Sequence, residues 1–309
     1  MGKIIFSFIC FLSLTVHAQE ISSADTSKSA YIDYKRVILD IPKTSLISLD
    51  RAFSREAIPE WAAIIGSTAV LYHNDEVILR DVQRSGRDLG VGNEDHTKAV
   101  WSVGDIDVLR LPTDYGSFMY FLGDGWLHGS IAAGFLINGY KNDNSRAYNT
   151  GLQLTHGMVV STLFNQFLKR SFGRQSPYVK SEPYGRWSPY ASIPEYQAHT
   201  SRYDGMPSGH VMTTTMVFTI INENYPEYSN YIVPLGVTWT AVLGWEMVNN
   251  GVHWAADYPL GIAMGFVFGK AATKLGKSKE DSKLETKQNW MLMPSSNQDG
   301  NGLTFLYSY

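Results

Sequence analysis

The chain has 309 residues, of which 44% are hydrophobic and 18% charged, a composition typical of globular proteins rather than of disordered or collagen-like chains. It carries 26 basic and 29 acidic side chains and a net charge of −3, so it lacks the positive excess of nucleic-acid-binding proteins. Its single cysteine, Cys10, excludes an intramolecular disulfide and a structural zinc site built from several thiolates.

Residues 1–18 have the pattern of a secretory signal peptide. Lys3 precedes an apolar run over residues 4–16, and Val16 and Ala18 fit a cleavage site after Ala18. The apolar run is shorter than the roughly 20 residues that span a bilayer. We therefore predict an exported, periplasmic protein, with membrane association left open. Residues 19–55 are polar and mixed, which predicts an N-terminal arm.

Residues 56–277 are predicted to form one all-α domain, a helical bundle. Moderately apolar segments of helical length alternate there with clusters of turn-forming residues. These segments are residues 61–72, 118–140, 151–168, 210–221, 231–245 and 258–274. Polar side chains inside them, such as His156 and Gln166, are costly in lipid, so a bundle that buries its own core is favoured over membrane spans. A peripheral membrane contact through Trp and Tyr side chains stays open.

Residues 278–309 are predicted to form a polar linker and a short C-terminal β-hairpin. Two apolar runs flank the turn-forming pair Asp299-Gly300, which is the pattern of two strands joined by a tight turn. The sequence assigns no function to this hairpin.

The segment Pro207-Ser208-Gly209-His210 precedes an apolar run and predicts the start of a helix. Unpaired backbone N–H groups and the positive end of the helix dipole make such a start an anion-binding site. His210 would then lie beside the anion. A plain helix start with Ser208 as the capping residue is the alternative interpretation.

Two further segments carry charged groups at suggestive spacings. His253 and Asp257 are four residues apart, so on a helix they share a face, where the carboxylate can accept the imidazole N–H as in nucleophilic catalysis. An ordinary surface pair has the same spacing. Lys169 and Arg174 lie where an apolar helix is expected to stop at Gly173, although the helix dipole alone favours cations at that end.

In this order and spacing the three segments resemble the motifs of the type 2 phosphatidic acid phosphatase and vanadium haloperoxidase superfamily. That pattern is a Lys followed after six residues by Arg-Pro, then Pro-Ser-Gly-His, then Ser-Arg, five residues, His, three residues and Asp. Lys169, the whole of residues 207–210, His253 and Asp257 match it. The resemblance implies the helical bundle of this superfamily and extends from about residue 61 to 276.

The resemblance also implies a role for each matching residue. His253 would attack phosphorus, Asp257 would orient it, and His210 would protonate the leaving oxygen and then activate water. Lys169, the Ser208 hydroxyl and the Gly209 N–H would bind phosphate oxygens. No metal or other cofactor is implied, and vanadate could occupy the pocket as a phosphate mimic.

The chain departs from the pattern at two arginines. Position 176 is serine, and Glu246-Met247 replaces Ser-Arg. Hydrogen bonds to charged groups are worth about 1.5–3 kcal/mol each, so both losses together would weaken transition-state binding by about 3–6 kcal/mol. The sequence offers Arg174 as the first substitute phosphate ligand. Other candidates are Arg170, Arg186, Arg202, Asn249 and Asn250.

These observations leave three functional hypotheses. The first is a phosphatase that hydrolyses a phosphomonoester or diphosphate, of a small molecule or of a lipid, through a phosphohistidine. The second is a catalytically impaired relative that binds a lipid or a protein. The third and least favoured is a vanadate-dependent haloperoxidase, because holding vanadate calls for more positive charge than Lys169 supplies.

Overall fold

The computed structural model describes residues 30–94, 96–104, 106–277, 290–297 and 300–307. The predicted signal peptide, the first part of the predicted arm and the predicted linker at 278–289 lie outside the described residues.

The described part of the chain is predominantly helical, which confirms the predicted all-α bundle. The helices are α1 (Arg36–Leu39), α2 (Ile41–Ala52), α3 (Ile58–Asp88), α4 (Tyr115–Phe121), α5 (Gly125–Lys141), α6 (Ser145–Phe172), α7 (Ile193–Ala198), α8 (Gly209–Asn224), α9 (Ser229–Asn249) and α10 (Tyr258–Ala272). Two antiparallel hairpins accompany them, β1 (Thr97–Val103) with β2 (Ile106–Pro112) and β3 (Trp290–Asn297) with β4 (Gly300–Tyr307).

Each apolar segment of the sequence corresponds to one helix, with one exception, although α10 ends two residues before the predicted segment 258–274 does. Residues 118–140 form two helices, because the chain breaks between α4 and α5 at residues 122–124. Asp124 begins α5 by accepting a hydrogen bond from the Trp126 N–H at 2.7 Å, which satisfies one of the unpaired donors of the new helix. The predicted C-terminal hairpin is present as β3 and β4, whereas the β1–β2 hairpin was not predicted.

Part of the predicted N-terminal arm is helical in the structure. Helices α1 and α2 lie against α6 and α10. His156 of α6 binds the Val37 carbonyl through Nδ1 and the Thr44 hydroxyl through Nε2, each at 2.7 Å. The domain boundaries inferred from the sequence remain a prediction.

Helices α8 and α10 form the most extensive helix contact, and glycines make it possible. A Cβ atom on Gly261 would lie 2.8 Å from the Ser208 carbonyl oxygen, and one on Gly265 would lie 2.5 Å from the Met212 carbonyl oxygen. Because these glycines are four residues apart, they form a stripe on one face of α10, along which the α8 backbone packs directly. The contact brings the start of α8 beside the turn that precedes α10.

One helix among the described residues, Pro226–Asn249, is long and apolar enough to cross a membrane by length and composition. A third of its most apolar window is buried inside the protein, and core helices of soluble proteins have the same length and composition.

Replacing Gly265 by alanine tests the importance of the glycine stripe. We expect Gly265→Ala to lower the free energy of unfolding by about 1–3 kcal/mol, because the added methyl group overlaps the α8 backbone. Thermal or denaturant unfolding measures this change. Gly134→Ala is the matched control: Gly134 is exposed on α5 with nothing within 4 Å of its Cβ position, so alanine should leave stability unchanged or raise it by up to about 1 kcal/mol. Equal effects of the two substitutions would contradict a role for the stripe.

Candidate active site

Lys169 lies in the last turn of α6 and its ammonium group points toward the loop before α8. Gly173 ends the helix in the left-handed conformation (φ 59°), and its N–H donates to the Lys169 carbonyl at 2.8 Å. The Lys169 Nζ donates to the Asp204 carbonyl at 2.7 Å and lies 3.3 Å from its carboxylate. The side chain is buried, so its charge is balanced locally by Asp204.

The segment around Ser208 forms the N-terminus of α8, as the sequence predicts. Ser208 is the N-cap residue, and its hydroxyl accepts from the Val211 N–H at 3.5 Å. Gly209 is the first helical residue, and a Cβ atom there would lie 2.8 Å from the Asn165 Nδ2 and 3.9 Å from the Lys169 Cε. The free helix terminus, the Asn165 amide and the Lys169 side chain therefore lie side by side.

His253 is held with a defined tautomer. Its Nδ1 lies 2.7 Å from the Gly205 carbonyl oxygen, and a carbonyl can only accept a hydrogen bond, so Nδ1 carries the proton. The Nε2 atom is therefore left with its lone pair. The Asp257 carboxylate is 3.4 Å from the same Nδ1, so it assists the Gly205 carbonyl.

The contact between His253 and Asp257 does not come from a shared helix face, which corrects the sequence argument. Helix α9 ends at Asn249, and Gly251 (φ 69°) reverses the chain, so His253 lies in the following turn. Asp257 closes a short 3₁₀ turn and reaches back to accept the Trp254 N–H at 2.8 Å. This turn directs the carboxylate toward the imidazole.

His210 lies opposite His253, with 6.3 Å between their ring centroids. Its other ring neighbour is Tyr120 of α4, whose centroid is 5.0 Å away. Burial, together with the nearby His253 and Lys169, lowers the pKa of His210 to about 3. His210 is therefore neutral at pH 7 in this arrangement.

Arg174 joins two buried carboxylates behind the histidines. Its Nη1 donates to the Asp257 Oδ1 and its Nη2 to the Asp75 Oδ2, each at 2.7 Å. All three side chains are fully buried. Asp75 also accepts the Ala256 N–H at 3.1 Å. Burial raises the pKa of Asp75 to about 6, although the hydrogen bonds and charge of Arg174 oppose the rise.

The position of Arg174 corrects its proposed role as a substitute phosphate ligand. The residue does turn inward where α6 ends, as the sequence suggested, but its guanidinium lies between Asp75 and Asp257. It is enclosed by three aromatic rings, with centroids 4.9–5.2 Å from its Cζ. These rings belong to Tyr72, Trp187 and Trp254. A phosphate ligand would need a guanidinium that faces Ser208, which this arrangement does not provide.

The two positions that lack the motif arginines are buried. Met247 packs against the start of α8, with its sulfur 4.0 Å from the Ser208 hydroxyl, so a neutral side chain lies where the motif has a cation. The backbone N–H of Ser176 donates a hydrogen bond to the Ser201 carbonyl. Glu246 points toward Gly116 of α4 and the Asn249 amide, away from Ser208.

Apart from Asn250, the other proposed substitutes have different partners or exposed positions. Arg170 lies over the ring of Tyr196, and Arg186 and Arg202 occupy exposed positions. The Asn249 amide donates to the Gly92 carbonyl at 2.7 Å. The buried Asn250 amide has no hydrogen-bond partner among the described residues.

Three residues of this region were missed by the sequence reasoning. Asn165 precedes Lys169 by four residues, so helical spacing alone could have identified it as a neighbour on the same face. Asp204 and Asp75 carry no such signal. Their partners, Lys169 and Arg174, are distant in sequence and come close only in the folded chain. Groups of three or more potential metal-ligating residues were not found in the part of the chain that the structure describes.

Part of the bundle is similar to a known protein family. Residues 150–280 match the family model described as the PAP2 superfamily. The match supports the PAP2 superfamily for this region. The matched region contains Lys169, the Ser208 helix start, His253 and Asp257, and the match supports a phosphatase-type function, that of a phosphoric ester hydrolase at a coarse level.

A solved structure is also similar to this chain. It is described as the first transmembrane PAP2 type phosphatidylglycerolphosphate phosphatase from Bacillus subtilis. The two chains are 16% identical over 78% of this chain and 94% of the other, with a TM-score of 0.39. No curated protein sequence gives a significant match.

Replacing Asp204 by asparagine tests the electrostatic balance of the pocket. We expect Asp204→Asn to tighten binding of orthovanadate by about two- to fivefold, the scale of a partly exposed ion pair, because Lys169 loses a competing carboxylate. Equilibrium binding measures the change. In a Lys169→Gln background the same substitution should bring no gain. A gain of equal size in both backgrounds would show that Asp204 acts independently of Lys169.

Proposed function

We propose that the chain is an exported phosphatase that hydrolyses a phosphomonoester or diphosphate through a phosphohistidine on His253. The observation that carries this proposal is the Gly205 carbonyl 2.7 Å from the His253 Nδ1, which leaves Nε2 as a free nucleophile opposite His210. The PAP2 family assignment supports the same reaction class.

The first half-reaction transfers the phosphoryl group to the protein. The His253 Nε2 attacks phosphorus while the bond to the leaving oxygen breaks, and that oxygen takes a proton from the imidazolium of His210. The imidazole of His253 becomes positive as the P–N bond forms. The Gly205 carbonyl and the Asp257 carboxylate, 3.4 Å from Nδ1, stabilise that charge.

The second half-reaction regenerates the site. His210, now neutral, accepts a proton from water, and the resulting hydroxide oxygen attacks phosphorus. The P–N bond breaks, inorganic phosphate leaves, and His253 regains its lone pair. No metal is part of this sequence.

Phosphate binding is proposed to rely mainly on neutral donors. The α8 N-terminus supplies backbone N–H groups, including that of Gly209, and the helix dipole adds a favourable field. Lys169 and the Ser208 hydroxyl lie at the same place, and the Asn165 amide borders it. Because Met247 and Ser176 contribute no charge, we expect weaker phosphate binding than in relatives with both arginines.

An apolar surface beside the site supports a lipid phosphate as substrate. Helix α4 contacts His210 through Tyr120 and exposes Tyr115 (86%) and Phe118 (54%) to solvent. Trp101 and Trp126, half-exposed and 6.3 Å apart between ring centroids, extend the exposed aromatic surface on β1 and α5. Exposed aromatic side chains are typical of surfaces that meet the headgroup region of a membrane. The proposed location is the periplasm, with peripheral contact to a membrane.

Phosphate release by the purified mature chain tests the catalytic proposal. The substrates are an aryl phosphate, phosphatidate in mixed micelles and an isoprenoid diphosphate. We expect His253→Ala to lower kcat by roughly 10³-fold or more, because the nucleophile is removed. His199→Ala, which alters an exposed histidine, is the matched control and should retain activity. Activity that survives His253→Ala would contradict a phosphohistidine, and the preferred substrate would distinguish lipid from soluble esters.

Anion binding is expected to cause protonation of His210. Before an anion binds, His210 is neutral at pH 7, since its pKa is about 3, and a bound dianion favours the charged form. Binding should therefore take up protons. Calorimetry with sulfate, which does not titrate near pH 7, in two buffers of different ionisation enthalpy measures this uptake. His210→Gln should abolish the buffer dependence. A buffer-independent heat in the wild type would contradict this assignment of the general acid.

The alternative function is a catalytically impaired PAP2 relative that binds a lipid or protein. Met247 beside Ser208 and the balancing of Lys169 by Asp204 favour this alternative, because both reduce the positive charge offered to phosphate. Failure of the folded chain to release phosphate from all three substrates would select it. A vanadate-dependent haloperoxidase is the least favoured reading for the same reason.

A further inference from the structure

Asp75 is a buried residue outside the matched PAP2 region that contacts the turn before α10 directly at Ala256 and is linked to Asp257 through Arg174. It belongs to α3, and residues 150–280 are those matched to the family. Its Oδ2 accepts from Arg174, which binds Asp257, and its Oδ1 accepts from the Ala256 N–H next to Asp257. The side chain is fully buried.

We propose that Asp75 is a positioning residue that fixes Asp257 through Arg174 and keeps the charge beside the His253 nucleophile negative. This inference rests on the proposed phosphohistidine mechanism. Asp75 does not touch the reacting atoms, so it acts through the residues that do.

The charges of the group explain why a second carboxylate is needed. Arg174 and Asp257 form a pair of zero net charge, which would do little to stabilise a positive imidazole on His253. Asp75 brings the trio to a net charge of −1. A net negative charge inside the protein, where the effective dielectric constant is low, stabilises the imidazolium that forms as the P–N bond is made.

The geometry also limits where the Asp257 carboxylate can move. Arg174 holds Oδ1 at 2.7 Å, and the Trp254 N–H holds Oδ2 at 2.8 Å, so each oxygen has a fixed donor. Three aromatic rings and the Tyr184 carbonyl, 3.1 Å from Nη2, fix Arg174 in turn. Asp75, on α3, adds a further hydrogen bond that holds the Arg174 guanidinium in place.

Asp75→Asn is the principal test, because it removes the charge and keeps the size. We expect kcat for phosphate release to fall about tenfold or more while KM changes by less than about threefold, since the substrate contacts are intact. Asp81→Asn is the control: Asp81 lies on the same helix and also pairs with an arginine, Arg80. A wild-type kcat in Asp75→Asn, or an equal loss in Asp81→Asn, would overturn the proposal.

A double variant separates a charge effect from a loss of packing. Asp75→Asn with Arg174→Gln returns the group to a net charge of −1 on Asp257 alone. If Asp75 acts by balancing Arg174, the double variant should recover kcat relative to Asp75→Asn. A purely structural role predicts that the second substitution lowers kcat and thermal stability further, and that result would overturn the proposal.

The pH dependence supplies a second readout. The groups that face Asp75 are Arg174 from the loop after α6, Asp257 from the 3₁₀ turn, and Tyr258 at the start of α10, whose own pKa is raised by burial and by both carboxylates. Protonation of Asp75 below about pH 6 removes its charge. We expect kcat of the wild type to fall more steeply below that pH than kcat of Asp75→Asn. If kcat of the wild type and of Asp75→Asn fell equally steeply at acid pH, the proposal would be contradicted.

A measurement without turnover distinguishes this proposal from the proposed function. The pKa of His253 is followed by NMR of protein with ¹⁵N-labelled histidine, with His253→Ala used for assignment. We expect Asp75→Asn to lower the pKa of His253, because a nearby negative charge is removed. An inactive wild type in which this shift occurs would refute the phosphatase and leave the positioning role intact. An unchanged pKa would refute the positioning role whatever the activity.

Discussion

The direct packing of the α8 backbone on the glycine stripe of α10 is the constraint on which the site depends. Side chains at Gly261 and Gly265 would separate the two helices. Their close approach places the N-cap of α8 next to the turn before α10, where the Ser208 N–H donates to the Asp257 carbonyl at 3.0 Å. The start of α8 and the turn that carries His253 and Asp257 are therefore joined directly by packing and by this hydrogen bond.

The site combines the motif histidines and aspartate with an unusual charge balance. His253, His210 and Asp257 lie close together, as the motif pattern predicts, but the cations do not face them as a phosphate site would require. Arg174 binds carboxylates, Lys169 has Asp204 beside it, and Met247 presents sulfur to Ser208. In the proposed function, attraction for phosphate would thus come mainly from oriented backbone dipoles, whose contribution does not vary with pH in the way that a titrating side chain does.

The sequence predicted well those features that depend on local spacing. The helical bundle, the break of α6 at Gly173 and the helix start at Ser208 follow from apolar periodicity, capping residues and glycine. The spacing also predicted that Asp257 lies near His253, but it predicted the wrong secondary structure. A separation of four residues suggests a shared helix face, whereas in the structure Gly251 and a 3₁₀ turn bring the two side chains together. The β1–β2 hairpin was not predicted, because its short strands on either side of Gly104 lack the long apolar segments by which the helices were recognised.

Features that depend on contacts distant in sequence could not be predicted. The direction of Arg174 is decided by Asp75, which is 99 residues away and carries no motif. A buried guanidinium needs a carboxylate or another strong acceptor, and the chain contains many acidic residues that fit this description equally well. Asp204 presents the same difficulty: the sequence shows a cation at Lys169 but not the carboxylate that neutralises it.

The position of Asp75 has a consequence for how the catalytic region can be subdivided. Every motif residue of this chain lies within 150–280, so a fragment cut at those boundaries would retain all of them. It would lack α3, and one hydrogen-bonding edge of the Arg174 guanidinium would face the space that this helix had filled. The region recognised from its sequence is therefore smaller than the unit that holds the site together. Exchange of residues 150–280 between relatives requires that α3 be exchanged as well.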